Sequence, residues 1–173
     1  MYVTAPARRP SVSILNLGEG PAVIDRLVGE LQRFKRDPQE LAHVRGVALD
    51  LVSSVSPGDD LGEIFAVWHY VRDAVRYTRD IANVDTLQSP RATLRILQGD
   101  CDDKSVLLAS LLETVGFATR FAVSATVPRH SYNHVYVETF VPKLGKWIPL
   151  ESSIAGFPFG RALPTFEPVR RFA

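Results

Sequence analysis

Cysteine is almost absent from this chain of 173 residues, which has a single one, Cys101. One cysteine cannot form a disulfide within the chain, so crosslinking cannot stabilise the fold. Such cysteine use fits a reducing compartment. It also excludes a Cys-x-x-Cys zinc site, and the sequence carries neither an EF-hand spacing nor a Gly-rich phosphate-binding motif. We therefore predict no metal and no cofactor.

Long apolar runs and an excess of either charge are also missing. The net charge is +1, so no overall field favours nucleic acid or an anionic membrane. No run approaches the roughly 18 apolar residues of a membrane span. Residues 1–17 contain two prolines and two arginines but no apolar core of a signal peptide. We therefore expect a cytoplasmic protein that binds neither nucleic acid nor membrane, and the sequence gives no oligomeric state.

The composition and the order of the predicted elements favour one α+β domain over residues 1–173. A chain that is 46% hydrophobic and 23% charged can build an ordinary globular core. Helical periodicity predicts helices first, and alternation then predicts an antiparallel meander. Residues 1–20 form an arm with one strand candidate, 12–15, and residues 154–173 form a proline-containing tail that we expect on the surface.

The predicted elements between the arm and the tail follow from apolar spacing, caps and breakers. Residues 77–89 read as a long polar connection, which in a small domain is often functional. The helix after residue 100 is apolar over so much of its surface that we predict a central, buried position. The predicted helices begin near residues 21, 38, 61, 90 and 101, and the predicted strands cover 117–124, 132–141 and 146–150.

Cys101 lies in the segment 99–105, which reads GDCDDKS and opens the predicted central helix. Asp100 is a good N-cap, and Asp103 is placed to complete a capping box. A thiol in the first turn gains thiolate character from the helix dipole, whereas the neighbouring carboxylates oppose it. Cys101 is therefore either a nucleophile or a small residue at a well-capped helix start.

His134 and Glu151 are the candidate partners of the thiol. His134 lies within the predicted strand 132–141, where it shares a face with Tyr136 and Glu138, and Glu151 ends the next strand. A histidine and an acid beside a cysteine can activate a thiol nucleophile. Alternatively, both lie on a solvated sheet face or strand end, and Glu138 is a rival acid.

Three blocks of the chain, in this order, resemble the transglutaminase-like superfamily. They are the segment 99–105 with its apolar helix, the segment 133–138 (NHVYVE) and the segment 147–151 (WIPLE). The resemblance covers residues 64–153. The upstream segment 85–90 (DTLQSP) is similar to the one that precedes the nucleophile in bacterial transglutaminase-like cysteine proteinases.

The resemblance implies a papain-like core in which the Cys101 helix packs on an antiparallel sheet, here with extra N-terminal helices. It implies Cys101 as nucleophile, His134 as base and Glu151 as orienting acid, with acyl transfer through a thioester. The family usually has Asp at the third position. Leu87 stands where the bacterial proteinases tend to have Trp, so their calcium dependence is not carried over.

From these residues we expect a cysteine hydrolase of peptide or amide bonds, acting on a protein or peptide, in a bacterial or phage protein. The Cys101 backbone N–H is one expected oxyanion donor, and Gln88 and Trp68 are candidates for the second. We also expect an imidazolium from His134 to lower the pKa of the thiol. The alternatives are a transglutaminase-type acyl transferase and an inactive binding or assembly module on the same scaffold.

Overall fold

The computed structural model of the protein describes residues 12–15, 22–79, 85–128 and 132–173. The helices in these ranges are α1 (Val23–Lys35), α2 (Pro38–Val52), α3 (Asp60–Ala74), α4 (Pro90–Ile96) and α5 (Cys101–Thr114). The strands are β1 (Val12–Leu15), β2 (Arg76–Tyr77), β3 (Asp85–Gln88), β4 (Gln98–Gly99), β5 (Thr119–Ser124), β6 (His134–Val141), β7 (Lys146–Leu150) and β8 (Arg170–Phe172). The mixed fold with an antiparallel sheet confirms the predicted α+β class.

Helix α5 lies at the centre of the fold because its own apolar residues are spread over most of its surface. All of its residues from Asp103 to Leu112 are buried, and it packs against the four other helices and against β5 and β6. A helix whose apolar residues are not confined to one face has to be covered on several sides. The Ser105 hydroxyl donates to the Val135 carbonyl, 3.2 Å away, and so fixes the first turn of α5 against the start of β6.

The main sheet is antiparallel, with strand order β7-β6-β5-β8. The register pairs Ser124 with His134 and Val137 with Leu150. Glu151 therefore follows directly after β7, near the end of the sheet where β6 begins. The face of β6 that carries His134 is covered rather than solvated, since Tyr136 and Glu138 on the same face are both buried.

Two regions expected to be irregular form strands. Within the predicted connection 77–89, β3 pairs with β1. At the start of that connection β2 pairs in parallel with β4, which occupies the end of the segment predicted as a helix from residue 90 to 99. Within the predicted surface tail, β8 pairs with β5 at the edge of the main sheet. Each of these strands has two to four residues and a partner far along the chain, so no local periodicity marks it. Residues 80–84 lie outside the described part of the chain.

Among the described residues, no helix has both the length and the apolar character needed to cross a membrane.

Candidate active site

The start of α5 is built by the capping box that the sequence predicts. Oδ1 of Asp100 accepts hydrogen bonds from the backbone N–H groups of Asp102 (3.0 Å) and Asp103 (3.3 Å), and the Asp103 carboxylate accepts from the Asp100 N–H (3.3 Å). Gly99 makes this approach possible, since a Cβ there would lie 2.6 Å from Cβ of Asp103. The box fixes Cys101 as the first residue of the helix.

Asp103 also joins the helix to strand β3. Its carboxylate accepts hydrogen bonds from the Gln88 backbone N–H (2.7 Å) and the Gln88 side-chain amide (2.8 Å). The same amide nitrogen lies 3.2 Å from the Gln98 carbonyl oxygen. Three segments that converge below Cys101 are therefore held by one buried carboxylate.

His134 and Glu151 form a buried pair. Nε2 of His134 lies 2.5 Å from Oε2 of Glu151, and the side chain of Glu151 is fully buried. The second oxygen of Glu151 accepts the Ser153 backbone N–H at 2.7 Å. The Glu151 carbonyl oxygen accepts the indole N–H of Trp68, also at 2.7 Å. Both the side chain and the backbone of Glu151 are thus fixed. The contact with Glu151 uses Nε2 of His134, so Nδ1 is the ring nitrogen that this contact does not use.

Cys101 and His134 line the same cleft, which has a volume of about 700 Å³. The cleft is bordered by the starts of α5 and β6, by β2 and by the segments that follow β5 and β7. Glu151 lies buried behind His134. The described residues that line the cleft are Tyr77, Arg79, Asp100, Cys101, Thr126, Val127, Asn133, His134, Ser153, Ile154, Ala155 and Leu163.

The thiol of Cys101 differs from the prediction made for it. Burial raises its pKa well above the usual value, and the carboxylates of Asp102 and Asp100 raise it further. The backbone of Val135 has a smaller opposing effect through a hydrogen bond, and Sγ itself lies 3.4 Å from Oδ1 of Asp102. The prediction of a low pKa is therefore wrong for the resting protein, because burial and the two acids outweigh the helix dipole.

The two side chains suggested as oxyanion donors lie elsewhere. The indole of Trp68 is fully buried and its N–H is engaged by the Glu151 carbonyl. The amide nitrogen of Gln88 is engaged by Asp103 and Gln98. Neither residue is among the described residues that line the cleft. The sequence does not determine where the side chains of Gln88 and Trp68 point, because that depends on the packing of the fold.

The rival acid Glu138 has a different set of partners. It is buried, and its carboxylate pairs with Arg120 at 2.6 Å and with Arg171 at 2.9 Å. Among the other histidines, His69 is half exposed and pairs with Asp73 on α3. Of the two acids considered for the orienting position, Glu151 is the one that contacts His134.

The start of α5 also brings together three groups that could hold a metal ion. Ligand atoms of Asp100, Cys101 and Asp102 all lie within 4.8 Å of one another. The Asp100 carboxylate is bonded to two backbone amides, and the thiol contacts Asp102. Helix capping accounts for this grouping, and we assign no metal to it.

Lys104 is the main residue near the site that the sequence analysis overlooked. It is 1% exposed and lies one turn after Cys101 on α5. Its position is the available signal, since a lysine in a helix predicted to be central and buried needs a buried partner.

Comparisons with known proteins identify the family and the fold. A family model described as the transglutaminase-like superfamily matches residues 49–152. The chain resembles a solved structure of a proposed cysteine protease from Cytophaga hutchinsonii, with 16% identity and a TM-score of 0.54. It also resembles a proposed protease from Parabacteroides distasonis, with 14% identity and a TM-score of 0.56. At these identities the likeness shows a shared fold.

The matches cover unequal shares of the proteins compared. They include 75% and 74% of this chain but 44% of the Cytophaga chain and 26% of the Parabacteroides chain. The chain therefore spans less than half the length of these solved relatives. No curated protein matches it.

Proposed function

Since the chain belongs to the transglutaminase-like superfamily, we propose that it is a cysteine hydrolase of peptide or amide bonds. In this proposal Cys101 forms a thioester with the acyl group, His134 transfers the protons and Glu151 orients the histidine. The observation that carries the proposal is the buried His134–Glu151 pair beside a cleft that Cys101 also lines. A positioned base backed by an acid is what a thiol of raised pKa needs for attack.

The first half of the reaction starts from a neutral thiol. As Sγ of Cys101 attacks the carbonyl carbon, His134 accepts the thiol proton, so the raised pKa is overcome in the transition state rather than beforehand. Glu151, fixed by Ser153 and Trp68, stabilises the resulting imidazolium. The imidazolium then protonates the leaving amine as the C–N bond breaks, which leaves the thioester.

The developing oxyanion needs hydrogen-bond donors. The Cys101 backbone N–H lies in the first turn of α5, where amide groups have no intrahelical acceptor. We propose it as one donor. In the second half of the reaction, His134 accepts a proton from water, the hydroxyl group attacks the thioester carbon and the C–S bond breaks. The thiolate that leaves recovers its proton from the imidazolium.

We propose hydrolysis rather than transfer because water can enter the cleft of about 700 Å³ and needs no binding site of its own. Transfer to an amine needs a second binding site that holds the amine against the thioester. The acyl transferase remains the second candidate because it uses the same thioester.

The test uses p-nitrophenyl acetate as acyl donor in water enriched in oxygen-18. Wild type and the Cys101→Ala variant are compared by nitrophenolate release, by intact mass and by the isotope in the acetate. A parallel reaction contains butylamine, and denatured casein serves as a peptide substrate with the isotope read in new carboxyl groups. The variant controls for acylation of other nucleophiles on the surface.

We expect acetyl-Cys101 and labelled casein fragments in the wild type and neither of them from the variant, and we expect labelled acetate from the wild type at a rate well above the uncatalysed background that the variant shows. Preferential formation of acetylbutylamine would instead support the acyl transferase. No acyl-enzyme in the wild type under these conditions would overturn the proposal in favour of a binding module.

A further inference from the structure

Lys104 is buried in the core beneath the active site. Its ammonium donates to the Arg72 carbonyl at 3.1 Å and, at closer range, to the Val75 carbonyl. These carbonyls belong to the C-terminal end of α3, where backbone acceptors lack intrahelical donors and the helix dipole is negative. Lys104 therefore joins the first turns of the helix that carries Cys101 to the end of α3.

The lowered pKa of Lys104 allows its side chain to lose the proton at moderately alkaline pH. Burial lowers its pKa from 10.5 to about 8, while attraction to Glu151 and Asp73 raises it and repulsion by Arg72 lowers it. Among the charged groups, Glu151 therefore favours the ammonium form most strongly. The same attraction acts in reverse on the carboxylate, because interaction energies are mutual.

The other end of this connection reaches Glu151 through α3. Trp68, one turn before Arg72 on α3, holds the Glu151 carbonyl with its indole N–H at 2.7 Å. The Arg72 guanidinium lies 4.4 Å from the Trp68 ring centroid and donates to the Phe157 carbonyl at 2.8 Å. The C-terminal half of α3 therefore contacts the nucleophile's helix through Lys104 and the segment of the acid through Trp68 and Arg72.

We propose that Lys104 is a positioning residue that fixes the Cys101 helix to α3 and thereby holds the thiol in register with the His134–Glu151 pair. The proposal rests on the function assigned to these three residues above. Lys104 contacts no reacting atom, so its effect passes through the pair. Removal of the side-chain nitrogen breaks the contact with α3, and loss of its charge removes the attraction to Glu151.

The chain provides a matched control in Lys35. It is also buried, at 3% exposure, and its ammonium binds the Thr119 carbonyl at 3.1 Å and Glu113 at 2.9 Å. Glu113 belongs to the last turn of α5 and Lys35 to α1, so this lysine ties down the opposite end of the same helix. Lys35→Met removes a buried lysine of similar role without touching the cleft.

The experiment follows the ring nitrogens of His134 by long-range ¹⁵N–¹H correlation spectra between pH 6 and 9.5. Wild type, Lys104→Met, Lys104→Arg and Lys35→Met are compared, with His134→Gln to assign the signal. The acylation rate with p-nitrophenyl acetate is measured on the same samples. The spectra need no substrate, so they test Lys104 even if the wild type proves inactive and the proposed function fails.

We expect the His134 signals of the wild type to step near pH 8, where Lys104 loses its proton. Lys104→Met should displace the signals at every pH, abolish the step and slow acylation by about tenfold or more. Lys104→Arg keeps the charge and should keep wild-type signals without the step. Lys35→Met should keep both the signals and the step.

Three results would overturn the proposal. They are wild-type signals without a step near pH 8, a Lys104→Met protein with unchanged His134 signals, and equal changes in Lys35→Met, which would show general loosening of α5. If Lys104→Met does not fold, the wild-type titration and Lys104→Arg still decide.

Discussion

Glu138, on β6, and Glu151, directly after the neighbouring strand β7, are both buried but have different partners. Glu151 is fully buried and contacts His134 through one oxygen, with a backbone amide on the other. Glu138 is 5% exposed and is neutralised by two arginines. The difference lies in the partner. Glu138 pairs with guanidinium groups that are permanently charged, whereas Glu151 pairs with an imidazole that can gain and lose a proton, as the proposed reaction requires.

Substitution of the two glutamates should differ most in its effect on the acylation rate. Glu151→Gln keeps the size of the side chain but removes the charge that stabilises the imidazolium, and should lower the acylation rate about 10²- to 10³-fold. Cys101→Ala should lower it further, to the background. The measurement is the rate of nitrophenolate release at pH 7. Glu138→Gln is the matched control and should stay within about threefold of wild type, whereas equal losses in the two glutamine variants would remove the distinction.

The second prediction concerns Lys104, the buried cation that attracts Glu151. Its pKa of about 8 lies below the usual 10.5, so between these values the unfolded chain binds more protons than the folded one. Stability from this group therefore rises with pH across that window, by about 3 kcal/mol in total. Urea unfolding at pH 7 and pH 10 should show this rise in Cys101→Ala relative to the double variant Cys101→Ala, Lys104→Met. If the difference in the free energy of unfolding between the two proteins were the same at both pH values, Lys104 would not be a buried residue that is charged at pH 7.

Glu138 should matter for stability instead of catalysis. Glu138→Gln leaves Arg120 and Arg171 without their acid, and both arginines retain contact with water. We expect a loss of about 2 kcal/mol in the free energy of unfolding, less than for a fully buried pair. Urea unfolding at neutral pH measures it. If the free energy of unfolding fell by less than about 0.5 kcal/mol, water alone would satisfy the hydrogen-bond donors of the two arginines.

The smallest predicted effect concerns the acid beside the nucleophile. Alkylation of Cys101 by iodoacetamide should keep accelerating above pH 9, because burial and then Asp102 raise the pKa of the thiol. Asp102→Asn should move the inflection to lower pH. Asp50→Asn, on the exposed surface of α2, is the control and should leave the inflection in place. An inflection near or below that of a free thiol in the wild type would show that the ion pair with His134 forms at rest.

The sequence predicts the parts of this fold that depend on local chemistry. The capping box at Asp100 follows from the order of acids around Cys101, and the buried helix α5 from its apolar residues. The three long strands of the main sheet follow from their alternation. These features are set by residues within a few positions of one another.

What the sequence does not predict depends on distant partners. Strand β3 is defined by its pairing with β1, and β8 by its pairing with β5. The indole of Trp68 points to the Glu151 carbonyl rather than to the cleft, which only the packing of α3 decides. The raised pKa of the thiol is not predicted for the same reason, because burial depends on the assembled core and not on the neighbouring residues in the sequence.

The central claim is that His134 and Glu151 act on Cys101 as one unit. A double-mutant cycle on the acylation rate, with His134→Ala, Glu151→Gln and the pair together, tests it most directly. We predict that once His134 is gone, removing the charge of Glu151 slows acylation by less than about threefold, since an orienting acid has nothing left to orient. A second loss of about 10²-fold or more in the double variant would contradict the claim and give Glu151 a role independent of the histidine.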